Sequence, residues 1–301
     1  MQLSPDLILG STIGIVGAAL YGFSVVVYRS QADETNPIAV SALKMWIALP
    51  FMAILAILIP GLEASVLPFT AVFLLSISVL FGAVIGDTVY LWSQHRIGVS
   101  YAFPIAMSFP IITFFLAVFF LNEPLIISRL VGAIIAVIGI VLISNEQNRN
   151  QKMTEIPKTL DILGILGAII TAVLYAVGTI VLQVGIEGVD PITGNLIRMI
   201  VGSIAFVPIV AVARVGGMTW PSRKATILVI IAGFFGMAVG SLLYVAAVAM
   251  VGAAIMSVIS STAPLFAIPV SVLFLKEKVT FIAGIGVLAT ILGVFLVILG
   301  V

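Results

Sequence analysis

The sequence predicts an all-α integral membrane protein whose ten transmembrane helices form two five-helix repeats of opposite orientation. Three observations lead there. First, 62% of the 301 residues are hydrophobic and only 8% are charged, where a typical soluble domain carries about 25% charge. Mean hydropathy is +1.34. A crossing helix needs about 20 mostly apolar residues, because lipid offers its backbone no hydrogen-bond partner, and nearly the whole chain divides into such segments. Second, the chain is written twice. A displacement of 154 positions carries Gly82, Gly86, Tyr90, Gly98, Pro110, Leu121, Glu123, Gly132 and Gly139 onto Gly236, Gly240, Tyr244, Gly252, Pro264, Leu275, Glu277, Gly286 and Gly293. The same offset takes Tyr21 onto Tyr175, Pro37 onto Pro191, Lys44 onto Arg198 and Met45 onto Met199. A period this long marks a duplicated fold unit, since solenoid repeats run to roughly 20 to 50 residues. Third, each copy holds five apolar segments. Five is odd, so the second copy enters the bilayer from the opposite face.

In chain order the spans are expected at 6–28, 38–60, 69–94, 99–121, 125–144, 161–185, 192–213, 224–250, 253–275 and 279–300. The first follows Met1-Gln-Leu-Ser-Pro-Asp6, which lacks the basic n-region and cleavage site of a signal peptide, so it is expected to stay as a mature helix. The polar turn before Pro37 opens the second. The third carries Gly82 and Gly86 in a GxxxG pattern, which lets backbones approach closely in lipid. The fourth contains Ser108 and Pro110. Asn145 to Thr159, rich in Asn, Gln, Lys and Glu, reads as the connection between halves. The expected division is therefore a first repeat at 1–146, a polar linker at 147–160 and a second repeat at 161–301. The second repeat follows the same plan: Gly188-Val-Asp-Pro191 opens the seventh span, Gly236 and Gly240 mark the eighth, and Ser257, Ser260, Ser261 and Thr262 precede Pro264 in the ninth.

Net charge of +1 and the absence of cysteine exclude whole classes of function. There is no broad basic surface for nucleic acid, no disulfide, and no thiolate metal site or nucleophile. No cofactor and no metal are expected. An enzyme is not expected either: the sequence has no HExxH, no phosphate-cradling Gly-rich loop with Lys, and no nucleophile elbow near His95 and Ser100. His95, beside Arg96 at a span end, reads as a solvated interface residue. Basic residues are lopsided. The loops after odd-numbered helices, with the adjoining helix ends, hold Arg29, Lys44, Arg96, Arg149, Lys152, Lys158, Arg214, Arg223, Lys224, Lys276 and Lys278; the other face holds Arg129 and Arg198. The positive-inside rule then puts odd loops in the cytoplasm and both termini outside.

Inverted repeats are the construction of many secondary transporters, with the substrate site near the midplane between the copies. The ordered pattern of each half is specific: Tyr in the first helix, Pro then a basic residue in the second, a Gly-rich third, and a Gly turn before a fourth helix with a central Pro. Leu121-Asn-Glu123 or Leu275-Lys-Glu277 closes that helix, and a last helix follows with paired Gly. This pattern resembles the EamA-type branch of the drug/metabolite transporter superfamily over nearly the entire chain. The resemblance implies a ten-helix carrier with a central cavity, peripheral fifth and tenth helices, and alternating access. It implies a small polar metabolite as substrate, often an amino acid leaving the cell, in the plasma membrane. It also implies cytoplasmic termini, opposite to the charge count.

Several residues are candidates for the substrate pathway. Asp87 is the one carboxylate well inside a predicted span, where insertion costs roughly 2.5 to 3.5 kcal/mol. Tyr90 and Gln94 share its helical face. It could meet a substrate amine, carry a proton, form a structural ion pair, or sit at an interface. Lys44 and Arg198 lie at matching places, with Ser41 and Asn195 one turn before each. They could snorkel to the headgroups, pair with Asp87, or anchor a substrate carboxylate. Tyr21, Tyr175, Tyr90 and Tyr244 are duplicated hydroxyl-bearing aromatics, suited to a cavity wall or to interhelical hydrogen bonds. Ser257 and Ser261 precede Pro264 as Ser108 precedes Pro110, and a proline-kinked helix would free carbonyls along the path. Glu123 and Glu277 read as caps or interfacial anchors. Expected partners are a small-molecule substrate, membrane lipids and protons as coupling ion. A channel or lipid-interacting scaffold is the alternative, against which the missing ring of repeated charges argues weakly.

Overall fold

The computed structural model describes residues 4–31, 34–59, 67–150, 161–275 and 280–300. Residues 151–160 of the expected linker, Lys276, Glu277 and Lys278, and the side chains of His95 and Ser100 lie outside that description. Ten crossings follow one another: α1 (Pro5–Ser30), α2 (Pro37–Leu58), α3 (69–97), α4 (99–120), α5 (Ile127–Asn150), α6 (Ile162–Ile186), α7 (Pro191–Val215), α8 (223–251), α9 (253–275) and α10 (Phe281–Leu299). Among the described residues nine continuous helical stretches are long and apolar enough to span a bilayer, and one of them, Arg223–Ser260, contains 38 residues. That stretch joins α8 to α9. Gly252 divides it with a non-helical φ of 81° and ψ of 168°, and its repeat partner Gly98 divides α3 from α4 with φ 77° and ψ 161°. Positive φ of this kind carries no Cβ penalty in glycine.

The helix starts follow from local chemistry. Asn36 accepts a hydrogen bond from the Ile38 amide, and Asp190 accepts from Ile192 and Thr193. In each case Pro occupies the first helical position, where its missing N–H is no loss. Helix α5 continues to Asn150, past the expected end at 144, because no Pro or Gly interrupts the polar turns after Ser144. Two interior departures from α geometry are repeated between halves. Helices α3 and α8 each contain a π-helical stretch, Leu80–Gly86 and Phe234–Val239. Helices α4 and α9 are each interrupted just before their central proline, at Met107–Ser108 before Pro110 and at Thr262 before Pro264. Proline lacks the donor that would bind the carbonyl one turn back and crowds that carbonyl.

Glycine contacts fix the relative direction of the repeats. Helices α5 and α10 are equivalent, and they pack so that a Cβ on Gly132 would strike Gly293 while one on Gly139 would strike Gly286. Residue numbers rise along one helix as they fall along the other, so the two run antiparallel. The repeats are therefore inverted. Helix α6 lies antiparallel to α3 in the same way, with Gly164 on Ile97, Gly167 on Ser93, Gly178 on Gly82 and Gly185 on Leu75. Its partner α1 packs along α8, with Gly10 on Met250 and Gly17 on Leu243. The first helix of each half thus crosses over to the third helix of the other.

The rest of the packing separates inside from lipid. Met45, Met52, Val79, Met199 and Phe206 are fully buried where α2 meets α7. Ile57, Phe69, Phe119, Val215, Leu273 and Phe281 are exposed on the outside. In water such a surface would drive aggregation; facing acyl chains it is matched to its solvent.

Candidate functional site

The polar centre is built from residues on both sides of the repeat boundary. Asp87 begins the stretch of α3 that follows the π turn. The segment Asp87–Ile97 has 11 residues, about 15 Å at 1.5 Å per residue, half of a hydrocarbon core roughly 30 Å thick. Lys44, one to two turns into α2, places Nζ 2.7 Å from Asp87 Oδ2. Tyr175 on α6 donates its hydroxyl to Asp87 Oδ1 at 2.8 Å. One carboxylate therefore joins α2 and α3 of the first half to α6 of the second. Gly86 makes room for this, since a Cβ there would lie 2.8 Å from the Tyr175 ring, and Phe109 meets the same ring edge-on at 5.8 Å. Tyr21 and Tyr28 stand within electrostatic reach of both charges, and Tyr90 within reach of Asp87. Tyr21, beside the ion pair, is 43% exposed.

The matching place in the second half is built differently. Arg198 on α7 corresponds to Lys44, but Ser241 stands where Asp87 would be. Asn195 Oδ1 accepts from Ser241 Oγ at 2.9 Å and from Arg198 Nη1 at 3.4 Å. Tyr244, within electrostatic reach of Arg198, shares a 2.9 Å hydrogen bond with Thr179 of α6. Arg198 is 7% exposed and Asn195 is fully buried. The two clusters are approached from opposite faces of the bundle, because α2 and α7, equivalent helices of inverted repeats, enter from opposite sides.

The remaining candidates fall elsewhere. Ser257 and Ser261 are buried in α9 and donate to the carbonyls of Ala254 and Val258 in their own helix. Ser108 does likewise to Ile105, so these hydroxyls serve the helix backbone beside the interruptions at Pro110 and Pro264. Glu123 accepts from Gln183 Nε2 at 3.4 Å, while Gln183 Oε1 receives the Ala253 amide just past Gly252. Gln183, Thr179 and Tyr28 were not singled out from sequence. An amide or hydroxyl in an apolar span is a signal in itself, but here it was masked by the stronger charges. At the membrane edge Arg96 pairs with Asp161, the N-cap of α6, and lies over the Trp92 ring at 4.7 Å. That hydrogen bond from Arg96 holds the Asp161 carboxyl below its usual range.

Comparison with known proteins gives this geometry a context. A solved crystal structure superposes with a TM-score of 0.78 at 17% identity, covering 96% of each chain, which establishes a shared fold. The uncharacterized transporter YdfC of Bacillus subtilis is 30% identical over 119 residues, 40% of this chain and 38% of that protein. An uncharacterized transporter of Archaeoglobus fulgidus is 22% identical over 294 residues, 95% of this chain and 97% of its own. The EamA-like transporter family matches twice, over residues 8–145 and 162–299. With a bundle of inverted halves, a polar centre at mid-membrane depth and both halves matched, the chain belongs to the EamA-like transporter family and is a multi-pass transporter of the cell membrane.

Proposed function

We propose that this transporter is a secondary carrier that exports a small polar or amphipathic metabolite, such as an amino acid, by alternating access. The observation that carries the reading is the bridge from Lys44 to Asp87 to Tyr175. It ties the two halves together at mid-membrane depth, beside a half-exposed Tyr21. Rocking one half against the other would break or remake its Tyr175–Asp87 link, the one that crosses between the halves. Asp87, the carboxylate shared by Lys44 and Tyr175, is the residue to which we assign the coupling role for protons. Tyr90, Tyr244 and the interrupted helices α4 and α9 complete the wall of the path, and the division into repeats at 1–146 and 161–301 supplies the two moving bodies. Export follows the habit of the family.

The test is counterflow into proteoliposomes across a panel of amino acids and nucleobases, with wild type and Asp87→Asn. Saturable counterflow is expected from wild type. Asp87→Asn should lose pH-driven transport and keep counterflow. Identical behaviour of the two proteins in both assays removes Asp87 from coupling and binding, and the absence of counterflow by any solute in wild type removes the carrier.

A further inference from the structure

The two halves treat their buried cation differently, and the difference points to the cargo. Lys44 is neutralised by Asp87. At the equivalent place Arg198 faces Ser241, and among the described residues no carboxylate pairs with it. A guanidinium at this depth does not shed its proton, so its charge is left for something outside the chain to answer. We propose that Arg198 and Asn195 form an anion-recognition site, and that the transported solute presents a carboxylate to it.

The atoms define the chemistry further. Asn195 Oδ1 is occupied by Ser241 Oγ and Arg198 Nη1. Since Arg can only donate, this fixes which end of the amide is oxygen. Asn195 Nδ2 is consequently a donor, and it is buried without a partner, as is Arg198 Nε. Buried polar groups are rarely left unpaired, and here two unpaired donors belong to neighbouring side chains one helical turn apart. With Nη1 turned to Asn195, the Nε edge of the guanidinium is free. That edge presents two parallel N–H bonds, the fork that matches a planar carboxylate. Asn195 Nδ2 adds a third donor. The two unpaired buried atoms of the cluster, Asn195 Nδ2 and Arg198 Nε, are both donors, which suits an anion. The Tyr244 and Thr179 hydroxyls, bonded to each other, place α6 beside this site as Tyr175 of the same helix is placed beside Asp87.

This assignment rests on the carrier function proposed above, and its test separates the two. Proteoliposomes holding wild type, Arg198→Gln or Arg198→Lys are loaded with a mixture of the amino acids, their amides, the decarboxylated amines, and short mono- and dicarboxylates. Exchange is read by mass spectrometry, and thermal stability of each detergent-purified protein is measured against every member of the mixture. The expected result is that exchanged solutes carry a free carboxylate and that their amides and amines do not exchange. Arg198→Gln should lose exchange at least tenfold, with Arg198→Lys in between. The same carboxylates should raise the melting temperature of wild type and not of folded Arg198→Gln. Preferred exchange of amides or amines, or undiminished carboxylate exchange by Arg198→Gln, overturns the anion site while leaving a carrier. If nothing exchanges, the carrier fails, and the melting series alone decides: carboxylate stabilisation that depends on Arg198 upholds the site, and its absence overturns it.

Discussion

Lys44 and Asp87 would each cost roughly 2.5 to 3.5 kcal/mol at the centre of a crossing helix, and the pair survives there because each answers the other within hydrogen-bond distance. Removing one partner strands the other. Lys44→Met should therefore destabilise the protein by about 3 to 5 kcal/mol, whereas Lys44→Met with Asp87→Leu should recover most of that loss and remain inactive. Unfolding of the purified variants in denaturing detergent checks this. Losses in the double variant as large as the two single losses combined would mean that the pair is not coupled. At this scale the sequence was informative about Asp87, whose depth and shared face with Tyr90 follow from helical spacing. It left Lys44 between the headgroups and Asp87, because that choice depends on how α2 is rotated against α3. Tyr175 as the second partner of Asp87 comes from the other half of the chain, 88 residues away, and no local pattern announces it.

Among the elements, the pair α5 and α10 is held by glycines whose backbones touch. A Cβ on Gly286 would stand 2.7 Å from the Gly139 carbonyl oxygen, too close for any side chain. Gly139→Leu should lower stability by about 1 to 3 kcal/mol or more, as overpacking does, and should lower transport with it. Gly284, on α10 two residues before Gly286 and with open space around its Cβ position, is the control: Gly284→Ala should leave both unchanged. Equal tolerance of the two substitutions would refute the seam, and a melting curve with a flux measurement reads it. The repeated glycines and prolines made these elements legible to within a few residues. The π stretches at Leu80–Gly86 and Phe234–Val239 were not, because the extra residue per turn reflects how α3 and α8 accommodate α6 and α1 across the repeat boundary. Seen afterwards, the doubled Gly82–Gly86 and Gly236–Gly240 are its trace, since small residues let a wound-out turn pack.

For the whole molecule, inversion turns one design into two polar clusters, around Lys44 in the first half and Arg198 in the second. In one, Lys44 is paired with Asp87; in the other, no carboxylate among the described residues pairs with Arg198. Both cations are buried, so neither belongs in a count of loop charges. Without them ten basic residues remain on the odd-loop side and Arg129 alone on the other. The charge rule for orientation is sharpened and still opposes the family habit of cytoplasmic termini. The inversion itself was legible from an odd number of spans per copy. The polar centre as an asymmetric pair of sites was legible only as a list of residue types until the halves were brought together.

The absence of cysteine makes the central claim, a polar centre opening to alternate faces, directly measurable. A single cysteine in place of Tyr21, probed with a membrane-impermeant maleimide from each side of oriented vesicles, samples the space beside the ion pair. Alternating access predicts labelling from both faces, with a transported solute shifting the ratio between them. Labelling from one face only, unchanged by any solute that the protein moves, would contradict it.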